Sequence, residues 1–343
     1  MRSAPPIAPL PWRRVVFVAD TWRSEDDVAD AAMRFDLEKT DPDTLAEVLD
    51  AIAALGLEAV HVENPRALID SATALGEVLV FSTFGGERSR NRLLLVPAVA
   101  EVLGVDYVGM DAVGHALAAN KHEAKRLAAE CGMLTPRSRM VRRSADLALC
   151  DEFPLPYVIK PVAEGSSIGI GARNLVRDAA AGRRLAGELL DRFAQPILIE
   201  AFVPGREVSL ICIESEGGWH EALVEIQVAG RPDYFDGHLF DAEEKQERRL
   251  ARSVQLVSEG LDSADSDAVH RFLGAVGHFG YGRVDGKLQD GRFHFLELTP
   301  DAWLGRCGHV AEGFARLGWS YEQVIAEILR SASLRPPGQV ANG

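Results

Sequence analysis

Apolar and polar positions along this chain change period repeatedly. Val15-Val16-Phe17-Val18 is a β-branched and aromatic run closed by Asp20, the pattern of a first strand. Over residues 44–55 the apolar side chains fall at 45, 48, 49, 52 and 55, the period of an amphipathic helix, and Gly56 stops it. Residues 58–62 and 78–81 then read as strands, with helical stretches between them. Alternating strands and helices predict a parallel sheet, a Rossmann-like first unit that ends near Gly109. No G-x-G-x-x-G follows its first strand, so nothing marks it as a dinucleotide binder.

Further on, the pattern predicts one helix over 116–131 with Gly132 as its stop, and a strand over 157–160. A glycine-rich loop at 164–171, a helix at 179–193 and a strand at 197–200 come next, and Pro204-Gly205 turns the chain. The last third alternates strands (207–214, 220–228, 281–288, 292–298) with helices near 262–277 and 308–330. Between them, residues 230–246 form a long polar stretch, a candidate lid. The ends, 1–14 with four prolines and 333–343, read as disordered tails; the first lacks the apolar stretch of a secretory signal.

A chain of 343 residues suits two or three stacked α/β units. Its 47% apolar and 26% charged composition excludes a fibrous or disordered protein. The net charge of −14 argues against nucleic acid as a partner, and no apolar run is long enough to span a membrane. Cys131, Cys150, Cys212 and Cys307 form no metal or disulfide spacing, which points to a reducing, cytoplasmic setting. Only six of the basic residues are lysine, so each lysine is a candidate for a special task.

Three segments carry candidate chemistry. In Val158-Ile159-Lys160-Pro161-Val162-Ala163-Glu164-Gly165-Ser166-Ser167-Ile168-Gly169, a lysine ends a buried strand and small residues come after it. Such a loop lets an ammonium and backbone N–H groups approach phosphate oxygens. The same Gly165–Gly169 stretch also fits the G-x-S-x-G elbow of a hydrolase, with Ser167 as nucleophile, but Ile168-Gly169-Ile170-Gly171 is poor helix. In Ile197 to Glu207, an apolar strand ends in Glu200 and passes into a turn, which can present backbone to a flat heterocycle and Glu207 to a ribose. In the third, Asp285 and Glu297 flank the hairpin signal Asp290-Gly291. Being twelve apart, they face each other directly only if the connecting loop holds an odd number of residues, as in a three-residue loop with a bulge. Two facing carboxylates need a cation between them, and hard oxygens favour Mg²⁺. Arg283 shares the face of Asp285.

These segments, in this order and with the lead-in from Tyr107-Val108-Gly109 to Asn120-Lys121, resemble the ATP-grasp superfamily, most closely the D-alanine–D-alanine ligases and related carboxylate–amine ligases. The resemblance runs from about Val78 to Ile328. It implies an α/β fold of three domains: a Rossmann-like N-terminal domain (15–110), a central α+β subdomain (111–200) and a C-terminal α+β subdomain (201–332). It further implies ATP and two Mg²⁺ ions, with Mn²⁺ as a substitute. Lys121 and Lys160 match the phosphate lysines, and Ser166 and Ser167 lie in the flap over the phosphates. Glu200, Ala201 and Val203 match the adenine edge, Glu207 the ribose ligand, and Asp285 and Glu297 the metal ligands. Arg283 matches the arginine beside the acyl phosphate, with Ser166 and His238 as further candidate catalytic groups.

The pattern also departs from that family. Glu297-Leu298-Thr299 stands where the dipeptide ligases carry Glu-x-Asn, which makes Thr299 a candidate third ligand and Asp301 an alternative. The loop from Pro300 to Cys307 lacks the family's serine turn, so Asp301 and Arg306, with Arg283 and His238, become the candidate substrate contacts. The lid Tyr234-Phe235-Asp236-Gly237-His238 is similar to those of L-amino-acid ligases. Phe84-Gly85-Gly86-Glu87 is succeeded by Arg88, Asn91 and Arg92, which suit a carboxylate-bearing substrate. The expectation is therefore an ATP-dependent carboxylate–amine ligase acting through an acyl phosphate, specialised for an amide or dipeptide of secondary metabolism. Its rivals are a D-alanine–D-alanine ligase of cell-wall synthesis, an intramolecular cyclo-ligase and an inactive nucleotide-binding module. The expected partners are a small carboxylic acid and an amino-acid-like amine, with a second copy of the chain as a candidate.

Overall fold

The computed structural model describes residues 4–21, 35–71, 78–86, 89–241 and 251–336, and these form three sheets. The first is parallel, in the order β2-β1-β3-β4, with β1 at Arg14–Val18, β2 at Glu58–Val62, β3 at Val78–Ser82 and β4 at Asp106–Tyr107. Strands β1 and β3 are covered on both faces, hence their unbroken apolar runs. Helix α1 (Pro42–Ala54) packs Val48 and Ile52 against Val15 and Phe17 on one face. Helices α2 (Pro65–Ser71) and α3 (Leu95–Leu103) cover Val16, Val18 and Val80 on the other.

The helix expected over 116–131 is two helices, α4 (Ala112–Ala118) and α5 (Lys121–Glu130). Asn120 separates them: its backbone leaves the helical region (φ −118°, ψ 89°) and its side chain accepts the Glu123 N–H, capping α5. The break sets Lys121 in the first turn of α5. The central sheet comes next, antiparallel in the order β5-β8-β6-β7, with β5 at Ser138–Val141, β6 at Tyr157–Pro161, β7 at Leu175–Val176 and β8 at Ile197–Ala201. Helices α6 (Leu149–Glu152) and α7 (Ala179–Phe193) close a core of its own around Tyr157, Ile159, Leu189 and Ile199.

The third sheet is antiparallel, ordered β11-β10-β9-β12-β13: β9 Arg206–Ser215, β10 Gly218–Val228, β11 Arg252–Leu256, β12 Tyr281–Gln289 and β13 Arg292–Pro300. Helix α8 (Ser263–Val276) lies on one face. Helices α9 (His309–Arg316) and α10 (Tyr321–Ser331) lie on the other, where one helix over 308–330 was expected. Gly318, at φ +86°, ends the first and Ser320 caps the second. The β12–β13 hairpin also departs from expectation. Its loop is the two residues Asp290 and Gly291, both left-handed (φ 51° and 76°), as a type I′ turn requires. Leu296 is the bulged residue: pairing passes from Asp285 opposite Glu297 to Gly286 opposite Phe295. The bulge alone brings the two acids face to face.

One face of the third sheet does two jobs. Ile211, Ile213 and Tyr281 share a continuous apolar core with Phe17 and Phe81 of the first sheet. Further along the same paired strands come Ser209 and Glu207, beside Asp285 and Lys287. The tails are also more engaged than expected. From Ala4 onward the start lies along α10, where Gln323 donates to the Pro5 carbonyl (2.9 Å) and Arg330 to those of Ala8 (2.7 Å) and Pro9 (3.3 Å). Trp12 is buried and donates to Asp106 at 2.8 Å. At the other end Arg335 stacks on Tyr107 and donates to the Gly109 carbonyl; residues 337–343 lie outside the described residues.

Candidate functional site

Four of the six lysines, Lys121, Lys125, Lys160 and Lys287, are buried to 3–6% exposure. A buried ammonium must be paired, so each one marks an acid or a carbonyl placed for it. Lys121 donates to the Glu164 carbonyl of the glycine-rich loop and lies 3.1 Å from Glu297 Oε2. Lys160, on β6, is 2.9 Å from Glu200 Oε1 on β8, and Lys125, one turn along α5 from Lys121, is 2.6 Å from Glu200 Oε2. Burial alone would lower the Lys160 pKa, but Glu200, Glu297 and Glu207 outweigh it and hold the ammonium charged. Burial would likewise raise the Glu200 pKa, and the two lysines pull it below the ordinary value. For Lys125 burial prevails, and its pKa falls to about 8. Ala201 and Phe202 donate their N–H groups to the Arg137 and Pro156 carbonyls, so the edge expected to meet adenine continues past them to Val203.

On the third sheet, Asp285 accepts from Ser209 (2.6 Å), Thr299 (2.7 Å) and Arg283 (3.0 Å). Arg283 also reaches His309 at 3.5 Å. Lys121 thus ties Glu297, and through the hairpin register Asp285, to the glycine-rich loop. Two facing carboxylates beside a hydroxyl fit a hard divalent cation that completes its shell with phosphate oxygens and water. Among the described residues no group of three or more His, Cys, Asp or Glu is placed to hold a metal ion.

Over this floor lie the loop and the lid. Ser166 and Ser167 both adopt left-handed backbone (φ 49° and 61°), and no helix starts after Ser167, so the hydrolase elbow is absent here. The Ser167 hydroxyl instead donates to the Phe240 carbonyl at 2.9 Å, joining loop to lid. His238 is exposed, stacked on Tyr234 at 4.3 Å and held by the Tyr234 carbonyl. Residues 242–246 of the expected lid lie outside the described residues.

Two expected substrate contacts have other partners. Asp301, at φ 45°, turns out of the strand line and pairs with buried His115 at 2.8 Å, while Thr299 stays beside Asp285. Arg306 stacks on Tyr321 and pairs with Glu322 (3.2 Å), and nearby Trp303 donates to Asp41 and Thr44 at the start of α1. Arg92, expected to meet a carboxylate of the substrate, is buried between Glu38 and Glu164 and donates to the Ala163 carbonyl, joining the first unit to the glycine-rich loop. Glu87 and Arg88 lie outside the described residues. Sequence reasoning assigned no role to Lys125, Lys287 or Ser209; the scarcity of lysine was the only available signal for the first two.

A Rossmann-like sheet succeeded by two antiparallel α+β sheets, with buried lysines of one facing the carboxylates of the other, is the ATP-grasp ligase fold. Among solved structures, the chain superposes on the D-alanine–D-alanine ligase of Bacillus anthracis complexed with ATP with a TM-score of 0.68, 16% identity and coverage of 94% of this chain and 97% of that one. It superposes on the VanG D-Ala:D-Ser ligase of Enterococcus faecalis with a TM-score of 0.64, 17% identity and coverage of 94% and 99%. In sequence it is 28% identical over 289 residues to the D-alanine–D-alanine ligase of Nitrosospira multiformis, covering 82% of this chain and 88% of that protein. The corresponding ligase of Geobacter sulfurreducens is 26% identical over 301 residues, covering 86% and 90%. The model of the D-ala D-ala ligase C-terminus family matches residues 130–330, and the chain belongs to that family. It is accordingly an ATP-grasp ligase, of the class that uses ATP and Mg²⁺ to form carbon–nitrogen bonds. No described helix is long and apolar enough to cross a membrane.

Proposed function

We propose that this enzyme joins two molecules of D-alanine, with ATP converted to ADP and phosphate. The observation that carries the reading is the 3.1 Å pair between Lys121 and Glu297, which links the expected phosphate lysine to the expected metal acid. The named relatives support D-alanine as substrate better than the specialised dipeptide expected from the sequence. In this reading Lys121 and Lys160 hold the phosphates, and Glu207 and the Val203 backbone hold the nucleoside. Asp285 and Glu297, with Thr299 beside them, hold Mg²⁺, which when bound neutralises phosphate charge. A carboxylate oxygen of the first substrate takes the γ-phosphoryl group and ADP leaves, giving an acyl phosphate. The amine of the second then attacks the acyl carbon, phosphate departs and the amine gives up a proton. Arg283 lies beside Asp285 to stabilise charge on the reacting phosphate, and positioning supplies most of the remaining acceleration. The lid and the Ser167 contact exclude water that would hydrolyse the intermediate.

A second reading, ligation of a different amino-acid pair, is favoured by Thr299 and by the docking of Trp303 and Arg306 on α1 and α10. Incubation with ATP, Mg²⁺ and D-alanine alone, read by ADP release and product mass, separates the two. D-Alanyl-D-alanine is the expected product; release that requires another amino acid selects the second reading. Lys160→Ala and Glu297→Ala are each expected to abolish turnover with the circular dichroism spectrum retained. Full turnover in Lys160→Ala would remove the basis of both.

A further inference from the structure

Lys287 holds groups that the proposed reaction places around the nucleoside. It alternates with Arg283 and Asp285 on one face of β12 and stands opposite Glu207 of β9. Its ammonium lies 2.8 Å from Glu207 Oε2, 3.3 Å from the Gly205 carbonyl and 5.0 Å from the centre of the Phe235 ring in the lid. Asp236, the next lid residue, accepts the Gly205 N–H at 2.7 Å. The turn after Ala201-Phe202-Val203 is therefore gripped at both its N–H and its C=O. Gly205 has no substitute there: its φ is +113°, and a Cβ would stand 2.5 Å from the Leu288 carbonyl oxygen. The ammonium is buried, whereas the Glu207 side chain keeps 21% exposure, so the acid has an open side and the lysine does not.

We propose that Lys287 is a positioning residue of the nucleotide site: it fixes the Glu207 carboxylate and the Gly205 turn as one unit and so sets the grip on the ribose hydroxyls. The inference rests on the reading of Glu207 as the ribose ligand. The pairing has two physical effects. Lys287 cancels the charge of an acid that would otherwise repel a polyphosphate, and it orients that acid so that a hydroxyl meets an aligned acceptor. A lysine that merely stiffened the sheet would do neither.

The test is calorimetric binding of ADP and of 2′,3′-dideoxy-ADP, each with Mg²⁺, to the full chain, K287M, E207Q and the double variant. The unaltered enzyme is expected to prefer ADP by about tenfold, the worth of a hydrogen bond to a charged group. In K287M that preference should fall to about unity through weaker ADP binding, with dideoxy-ADP changed by less than about threefold. E207Q should lose the same preference, and the double variant should be no worse than either, as for residues acting as one unit. In turnover, K287M should raise the KM for ATP and leave kcat nearly unchanged. Should K287M fail to fold, K287Q, polar but uncharged, gives the same ratio. An ADP preference retained in the Lys287 variants, or an equal loss for both nucleotides, overturns the proposal while leaving the nucleotide site standing. No ribose preference in the unaltered enzyme removes the Glu207 reading, and this proposal with it.

Discussion

His115 is buried to 1% exposure yet has a raised pKa. Burial pushes that pKa down, but Asp301, 2.8 Å away, and the Asp111 carbonyl push it up by more. A histidine that binds its proton more tightly when folded stabilises the chain fully below its unfolded value of 6.5, and this contribution is lost as pH rises through the higher folded value. The urea midpoint should therefore fall on going from about pH 6 to about pH 9. His115→Gln, which strands Asp301, should cost about 3 kcal/mol at the acid end, with a smaller cost at the alkaline end. A cost independent of pH would show that the pair is not charged. At this scale the sequence was informative wherever a residue sits in a local pattern, as Lys160 does at a strand end before a glycine-rich loop. It was silent where the partner is distant in sequence. Nothing near Asp301 announces His115, and nothing near Lys125 announces Glu200.

The β12–β13 hairpin depends on two glycines with different tasks. At Gly286 a Cβ would stand 2.5 Å from the His294 carbonyl oxygen and 2.6 Å from the Phe293 ring, so Gly286→Ala should overpack the bulge. The expected loss is about 2 kcal/mol, together with most of the turnover, because Asp285 and Glu297 lose their register. Gly291 has open space around it and only its positive φ to satisfy, so Gly291→Ala should cost about 1 kcal/mol and leave turnover intact. Chemical denaturation and ADP release measured on both variants decide this; equal turnover in the two would dissociate the bulge from the chemistry. Nine strands and α7 were legible because period and turn residues agree over their whole length, whereas the short β4, β5, β7 and β11 were not among the expected strands. The breaks at Asn120 and Gly318 were not: the helical period carries on across each, and only a cap or a left-handed residue interrupts it. Leu296 was equally opaque, since a bulge is fixed by the partner strand rather than by its own sequence.

Across the molecule, the first and third sheets share one apolar core, while the central sheet closes its own and is tied to the rest by the ion pairs Arg92–Glu164 and Lys125–Glu200 and by Lys121 at the Glu164 carbonyl. The central unit should therefore open at lower urea than the remainder. All five tryptophans, at 12, 22, 219, 303 and 319, lie outside residues 138–201. Far-ultraviolet ellipticity should thus begin to fall before tryptophan fluorescence shifts, and coincident curves would mean a single cooperative unit. The order of the three units can be read from the alternation of periods along the chain. The fusion of two of them into one core cannot, because it depends on which faces meet. The proline-rich start illustrates the same point. Its carbonyls are roped to α10 by Gln323 and Arg330. A purification handle is better fused ahead of these residues than in place of them: deleting roughly the first dozen would strip a greasy flank bare and leave a preparation prone to clumping on storage.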